Sequence, residues 1–296
     1  MKHPLASTLA LALAIGISSS AMATVTIDWV TVGNPGNLAQ SSDNRNHSFS
    51  GGDGFGKVDY TYQIGQNMVT NTQYAAFLNA AAKSDPYGLY NTQMNDSTHG
   101  GITRSGSDGS YTYTVKAGMG NKPVVFVSWF DAARMANWMH NGQGSGSTET
   151  GAYTLNGATS GIITMNVGAS VWIPTEDEWF KAAYYNGDTG MYSLFATGAD
   201  TISSAQANYW PDGPGTLTDV GAYELASFYG TYDQAGNAWE WNDAVISGSS
   251  RGLRGGSWNN SVFSLRSSDR YDLDPSDEGS SWGSVSLVSL NRALWS

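Results

Sequence analysis

Glycine and aromatic residues are equally abundant in this chain: 36 Gly stand beside 11 Trp, 16 Tyr and 9 Phe. So many rings demand a packed interior and argue against disorder. So many glycines interrupt regular elements and supply turns. The expected product is a set of short strands and helices joined by many turns. The chain contains no cysteine, which excludes disulfides, thiolate metal sites, iron–sulfur clusters and cysteine nucleophiles. With 14 Lys+Arg against 25 Asp+Glu and a net charge of −11, it repels phosphate backbones, so nucleic acid is not expected as a partner.

The first 23 residues read as a signal peptide. Lys2 supplies a charged start, Leu9 to Ile17 is apolar all round, and Ala21-Met22-Ala23 forms a small-residue cleavage site. The apolar run is too short to span a bilayer. Cleavage near Ala23 leaves residues 24–296 and places the product in the periplasm, at the cell surface or in the medium, with no transmembrane helix in the mature chain. No fixed-period repeat and no linker divides it, so 24–296 is expected to form a single domain.

TVTIDWVTVG and VDYTYQIG alternate as strands. TNTQYAAFLNAAAKS has helical spacing at Tyr74, Phe77 and Leu78, with Thr70 or Asn71 as its cap. KPVVFV reads as a short apolar strand, followed by a helix capped by Ser128 with Ala132, Met135, Ala136 and Met139 on one side. Thr175 with Glu178 forms a capping box ahead of a further helix. Residues 84–121 read as loop, and a hairpin is expected between the polar insert at 141–161 and VWIP. Beyond about Asn186 the pattern is short strands and turns.

Four strings in order resemble the formylglycine-generating enzyme (sulfatase-modifying factor) family: VTNTQYAAFLNA (69–80), PVVFVSWFDAARMANWM (123–139), WIPTEDEWFKAA (172–183), and YDQAGNAWEW (232–241) with LRGGSWNN (253–260). The resemblance implies an α+β, irregular, loop-rich fold of the expanded C-type-lectin-like kind. Active members hold Cu(I) on a cysteine pair shortly after the GGSW-like string. Here Asn259 and Asn260 stand near the first of those positions, and hard amides cannot replace soft thiolates. Copper and the formylglycine-generating reaction are therefore not expected. The family's sulfoxide synthases take iron from a separate His-bearing domain, whereas His47, His99 and His140 lie far apart here and show no H-x-x-x-H spacing.

The resemblance also implies calcium, a hard cation suited to oxygen ligands. One site maps to the side chains of Asp233 and Glu240 with the carbonyls of Gly236 and Ala238. A second maps to Asn208, Tyr209, Gly221 and Tyr223, where Gly221 replaces the carboxylate that the family carries. The run Glu176-Asp177-Glu178 complements a helix dipole and needs no catalytic role. Arg251, Arg254, Arg266 and Arg270 are scarce cations able to anchor internal carboxylates or a ligand's anion, with Arg254 read as a scaffold residue. The rings of Trp241, Trp258, Trp282 and Tyr271 suit either core packing or stacking on a ligand.

The expected function is a secreted, non-catalytic binding module for glycan or protein, with Trp258, Asn259, Asn260 and Arg266 as ligand-binding candidates. A sulfatase-modifying-type oxidoreductase acting through an unrecognised site, and a retroelement-diversified receptor, are the alternatives. The closing WGSVSLVSLNRALWS matches, residue for residue, a one-base shift of a coding run for GFRVASVPEPGTLV. It therefore resembles a frameshifted PEP-CTERM sorting signal. Its alternating Ser284–Leu287 segment is expected to remain a strand, at some loss of stability.

Overall fold

A computed structural model describes residues 24–290. The expected signal peptide and the last six residues of the expected frameshifted tail lie outside them. In chain order the elements are β1 (Trp29–Val32), β2 (Tyr62–Gly65), α1 (Asn71–Ala81), α2 (Gln93–Asp96), β3 (Ile102–Ser105), β4 (Thr112–Val115), α3 (Trp129–His140), β5 (Val171–Trp172) and α4 (Glu176–Tyr184). There follow β6 (Tyr185–Asn186), β7 (Met191–Tyr192), β8 (Trp239–Val245), β9 (Arg251–Arg254), a 3-10 turn (Val262–Leu265), β10 (Tyr271–Leu273), β11 (Trp282–Ser284) and β12 (Val288–Ser289).

The three longer helices start by one device. Thr70, Ser128 and Thr175 each accept from the backbone amide three residues on, and the side chains of Gln73, Asp131 and Glu178 reach back to the cap amide. Two otherwise orphaned donors are satisfied at each start. His140 ends α3, its Nδ1 accepting from the Ser170 amide at 3.0 Å.

Two four-stranded sheets organise the rest. The first has the order β1-β2-β12-β5, with Val288 of β12 opposite both Ile64 and Trp172. The second has the order β10-β9-β8-β11, in which β11 runs parallel to β8. Its register puts Tyr271 opposite Leu253 and Leu253 opposite Trp241, so these side chains share one face with Leu273 and Trp239. Glu240 pairs with Arg254 on the other face, toward α4. A large core joins the first sheet, α1 and α3, and a second aromatic cluster gathers around Trp179, Phe180, Tyr184 and Tyr192.

Several local expectations differ from the structure. Residues 123–127 form no strand: Pro123 makes an isolated bridge with Thr70, Val124 N donates to Val69 O at 2.9 Å, and Phe126 takes φ 62°. The hairpin expected before VWIP reduces to a single bridge between Tyr153 and Met165. Within 84–121, read as loop, lie α2 and the β3–β4 hairpin, whose polar, glycine-rich turn masks the short alternation beside it. The Ser284–Leu287 segment is not one strand but the link between β11 and β12. Its Val285 and Leu287 carbonyls accept from Val69 and Gly65 at 3.0 and 2.8 Å, and both side chains enter the core.

Candidate functional site

The shared face of the second sheet floors a cleft of about 410 Å³. Trp239, Leu253, Tyr271, Leu273 and Trp282 come from the four strands, while Asn259, Asn260, Ser264, Asp269 and Arg270 come from the loops above. Period-two alternation explains the floor: residues two apart on a strand face the same way, and register lines up their neighbours. The Trp239 and Tyr271 rings lie 5.8 Å apart at 35°, and Tyr271 is 52% exposed. Trp239 Nε1 donates to Asn260 Oδ1 at 2.8 Å, and Ser257 Oγ lies 2.7 Å from Asn259 Oδ1. The indole N–H fixes the direction of the Asn260 amide.

Of the four ligand-binding candidates, Asn259 and Asn260 line this cleft. Trp258 instead stacks on His99 at 4.3 Å, and Arg266 lies over the Phe49 and Phe263 rings at 4.3 and 4.4 Å. Trp241 is wholly buried, its Nε1 donating to Val127 O. Tyr271 and Trp282 are the rings that reach the cleft. Trp239 and Asp269 were not singled out from sequence. The signal for Trp239 was its alternation with Trp241; Asp269 sits in an aperiodic loop and gave none.

The arginines anchor internal carboxylates. Arg254, fully buried, donates Nε to Glu176 Oε1 at 2.9 Å, and Arg270 brings Nε and Nη2 to the same carboxylate at 2.8 and 2.5 Å. Arg251 pairs with Asp243 at 2.8 Å. In the acidic run at the start of α4 each residue has a local duty. Glu176 takes the arginines, Asp177 accepts from the Gly56 amide at 2.8 Å, and Glu178 closes the capping box.

On the opposite face, Glu240 is fully buried and neither of its carboxylate oxygens has a hydrogen-bond partner. Burial pushes its pKa up to about 7, nearby donors on Ser286 and Trp179 pull the other way, and Asp233 adds a smaller repulsion. Asp233 itself is pushed up to about 6 by burial, against the pull of the Gly221 amide, which donates to Oδ2 at 2.6 Å. Two buried carboxylates that repel each other would both be neutralised by a hard divalent cation. Asp233, Gly236 and Asn237 take φ of 60°, 89° and 62°, which turns the backbone sharply between the carboxylates. Asp233 and Glu240, the two side chains expected to hold calcium, thus lie within electrostatic reach of each other on either side of this turn.

The second set is differently placed. Asn208 Nδ2 donates to Thr216 O at 2.9 Å, the Tyr209 carbonyl accepts from Gly213 at 2.8 Å, and the Gly221 amide serves Asp233. Tyr223 lies beside Asp233 in a narrow crevice. Asp219, the nearest acid in sequence, faces Lys122 at 3.6 Å. Asn208 Oδ1 is buried with no hydrogen-bond partner, and the set supplies no carboxylate of its own.

A loop-rich α+β scaffold with a cleft floored by strands from its C-terminal half is of the formylglycine-generating-enzyme class. The chain belongs to the sulfatase-modifying factor enzyme 1-like domain family, whose model matches residues 31–284. It is 26% identical over 244 residues to the serine/threonine-protein kinase pkn1 of Chlamydia caviae, covering 76% of this chain and 32% of that protein. It is 25% identical over 227 residues to the hercynine oxygenase of Mycolicibacterium smegmatis, covering 67% of this chain and 46% of that protein. The chain thus spans less than half the length of either relative. The crystal structure of CarF shares the fold, with a TM-score of 0.62 and 24% identity over 90% of this chain and 98% of that one. Among the described residues no helix is long and apolar enough to cross a membrane.

Proposed function

We propose that this chain is a ligand-binding, non-oxidative member of its family that works outside the cytoplasm, takes a glycan or protein ligand in the aromatic cleft, and uses calcium as a structural ion. The observation that carries the reading is the pair Asn259 and Asn260 at the cleft, in a chain without a single thiol. Copper(I) chemistry needs soft sulfur donors, and the groups lining this cleft are rings, amides, a hydroxyl and one ion-paired guanidinium. With the Asp269 carboxylate, a second hydroxyl and two leucines also in its wall, the cleft holds a ligand by stacking and hydrogen bonding. Calcium would neutralise Asp233 and Glu240 and brace the turn between them, which leads into β8 beneath the cleft. The charged start, apolar run and A-x-A site before residue 24 support export.

The test incubates the purified protein with a cysteine-containing sulfatase-type peptide, copper and oxygen. The expected result is an unchanged thiol. Aldehyde formation overturns the reading.

A further inference from the structure

We propose that the cleft is a subsite for a neutral saccharide, a proposal that rests on the cleft being the ligand site. The first ground is charge. Two guanidiniums, Arg254 and Arg270, stand under and beside the cleft against two carboxylates, Glu176 and Asp269. Nε and Nη2 of Arg270 are already engaged by Glu176. Charges so balanced favour neither an acidic nor a basic ligand.

The second ground is the direction of the polar groups. Trp239 Nε1 holds the side-chain oxygen of Asn260, the single Ser257 hydroxyl sits beside the oxygens of both Asn259 and Asn260, and among the described residues no acceptor takes the Asn260 NH₂ group. The oriented Asn260 amide thus offers a donor to the cleft, with the Asn259 amide beside it and the Asp269 carboxylate as an acceptor in the same wall. A sugar hydroxyl donates and accepts at once, so vicinal hydroxyls match this mixed set better than a one-sided ligand does.

The third ground is the wall itself. Tyr271, 52% exposed, stands at the rim with Trp239 behind it, offering a flat apolar surface to the C–H face of a sugar ring. A peptide would instead need a run of free backbone groups along a strand edge. The two edge strands at the cleft, β10 and β11, are only three residues long each. The volume of about 410 Å³ lies within the range of small-molecule sites, ~300–1,000 Å³.

The experiment probes the protein on an array of neutral hexose and N-acetylhexosamine oligosaccharides, uronate and sulfated glycans, and unstructured peptides, followed by calorimetry on any hit. Neutral glycans are expected to bind, and Tyr271→Ala and Asn260→Asp each to weaken binding about tenfold. Asn260→Asp keeps the oxygen that Trp239 and Ser257 use, so it removes the donor while sparing the fold. Capture of peptides or acidic glycans instead, lost in Tyr271→Ala, overturns the saccharide proposal and leaves the cleft as the ligand site. Binding that neither variant affects, or no binding at all, overturns both.

Discussion

Glu176 at the first turn of α4 lies between Arg254 of β9 and Arg270 at the rim of the cleft, and one carboxylate holds both guanidiniums. The contact ties the outer face of the second sheet to α4 and fixes the loop above the cleft. Glu176→Ala leaves Arg254 buried without a counter-charge. Breaking a buried pair in this way costs ~3–5 kcal/mol, and urea unfolding of the variant is expected to show a loss of that order. A loss below ~1 kcal/mol, the range of exposed pairs, would contradict a clamping role.

The carboxyls of Asp131 and Glu278 make the fold sensitive to pH. Burial first, then repulsion from Asp131, pushes Glu278 up to about 8, while Asp131 is pushed up to about 6 by burial against its bonds to Ser128. Asp85 and Arg134 also face the pair, and Asn91 donates to Glu278. Both carboxyls hold protons more tightly folded than unfolded, so their contribution is full below the ordinary carboxylate range and is lost as pH rises through about 6 and then about 8. Stability measured across this window should fall on the alkaline side, and Glu278→Gln should flatten the fall. Parallel profiles for the two proteins would show that the pair does not titrate there.

Calcium is expected to raise the melting temperature of the protein and EDTA to reverse the rise, with no response in Glu240→Gln. At a concentration 100 times the dissociation constant the gain is about 2.7 kcal/mol. An identical response in the variant, or none in the parent protein, removes calcium from Asp233 and Glu240.

Gly236 is irreplaceable for a local reason. Its φ is +89°, and a Cβ there would stand 2.2 Å from the Asn208 carbonyl oxygen, which accepts from Asn237 at 2.9 Å. Gly236→Ala therefore forces both a left-handed backbone and a clash, and is expected to destabilise by more than ~1 kcal/mol in thermal unfolding. A neutral result would mean that the turn between Asp233 and Glu240 readily rearranges.

Leu287 is 1% exposed and its carbonyl accepts from Gly65. Leu287→Ala should cost ~2–5 kcal/mol. An effect near zero would place this segment outside the cooperative fold.

The three long helices were legible from helical spacing and a capping hydroxyl at or next to each start, with the paired Glu178 marking the third, local patterns that need no tertiary context. β1 and β2 were legible from alternation. The cleft was half legible: Asn259 and Asn260 follow a recognisable string, but their company does not. Trp239, Leu253 and Tyr271 lie on three strands and meet only through register, which no single stretch encodes. Trp258 and Arg266 show the converse. Their neighbours His99 and Phe49 come from remote loops, so an aromatic or a cation in a promising stretch was already committed elsewhere.

β12 is wedged between β2 and β5, so the first sheet joins strands drawn from the beginning, middle and end of the sequence. A nascent chain that has not yet delivered Val288 and Ser289 lacks the piece that locks β2 to β5. Closure of this sheet therefore depends on a two-residue strand far from its partners in sequence, and the N-terminal strands alone cannot complete the core.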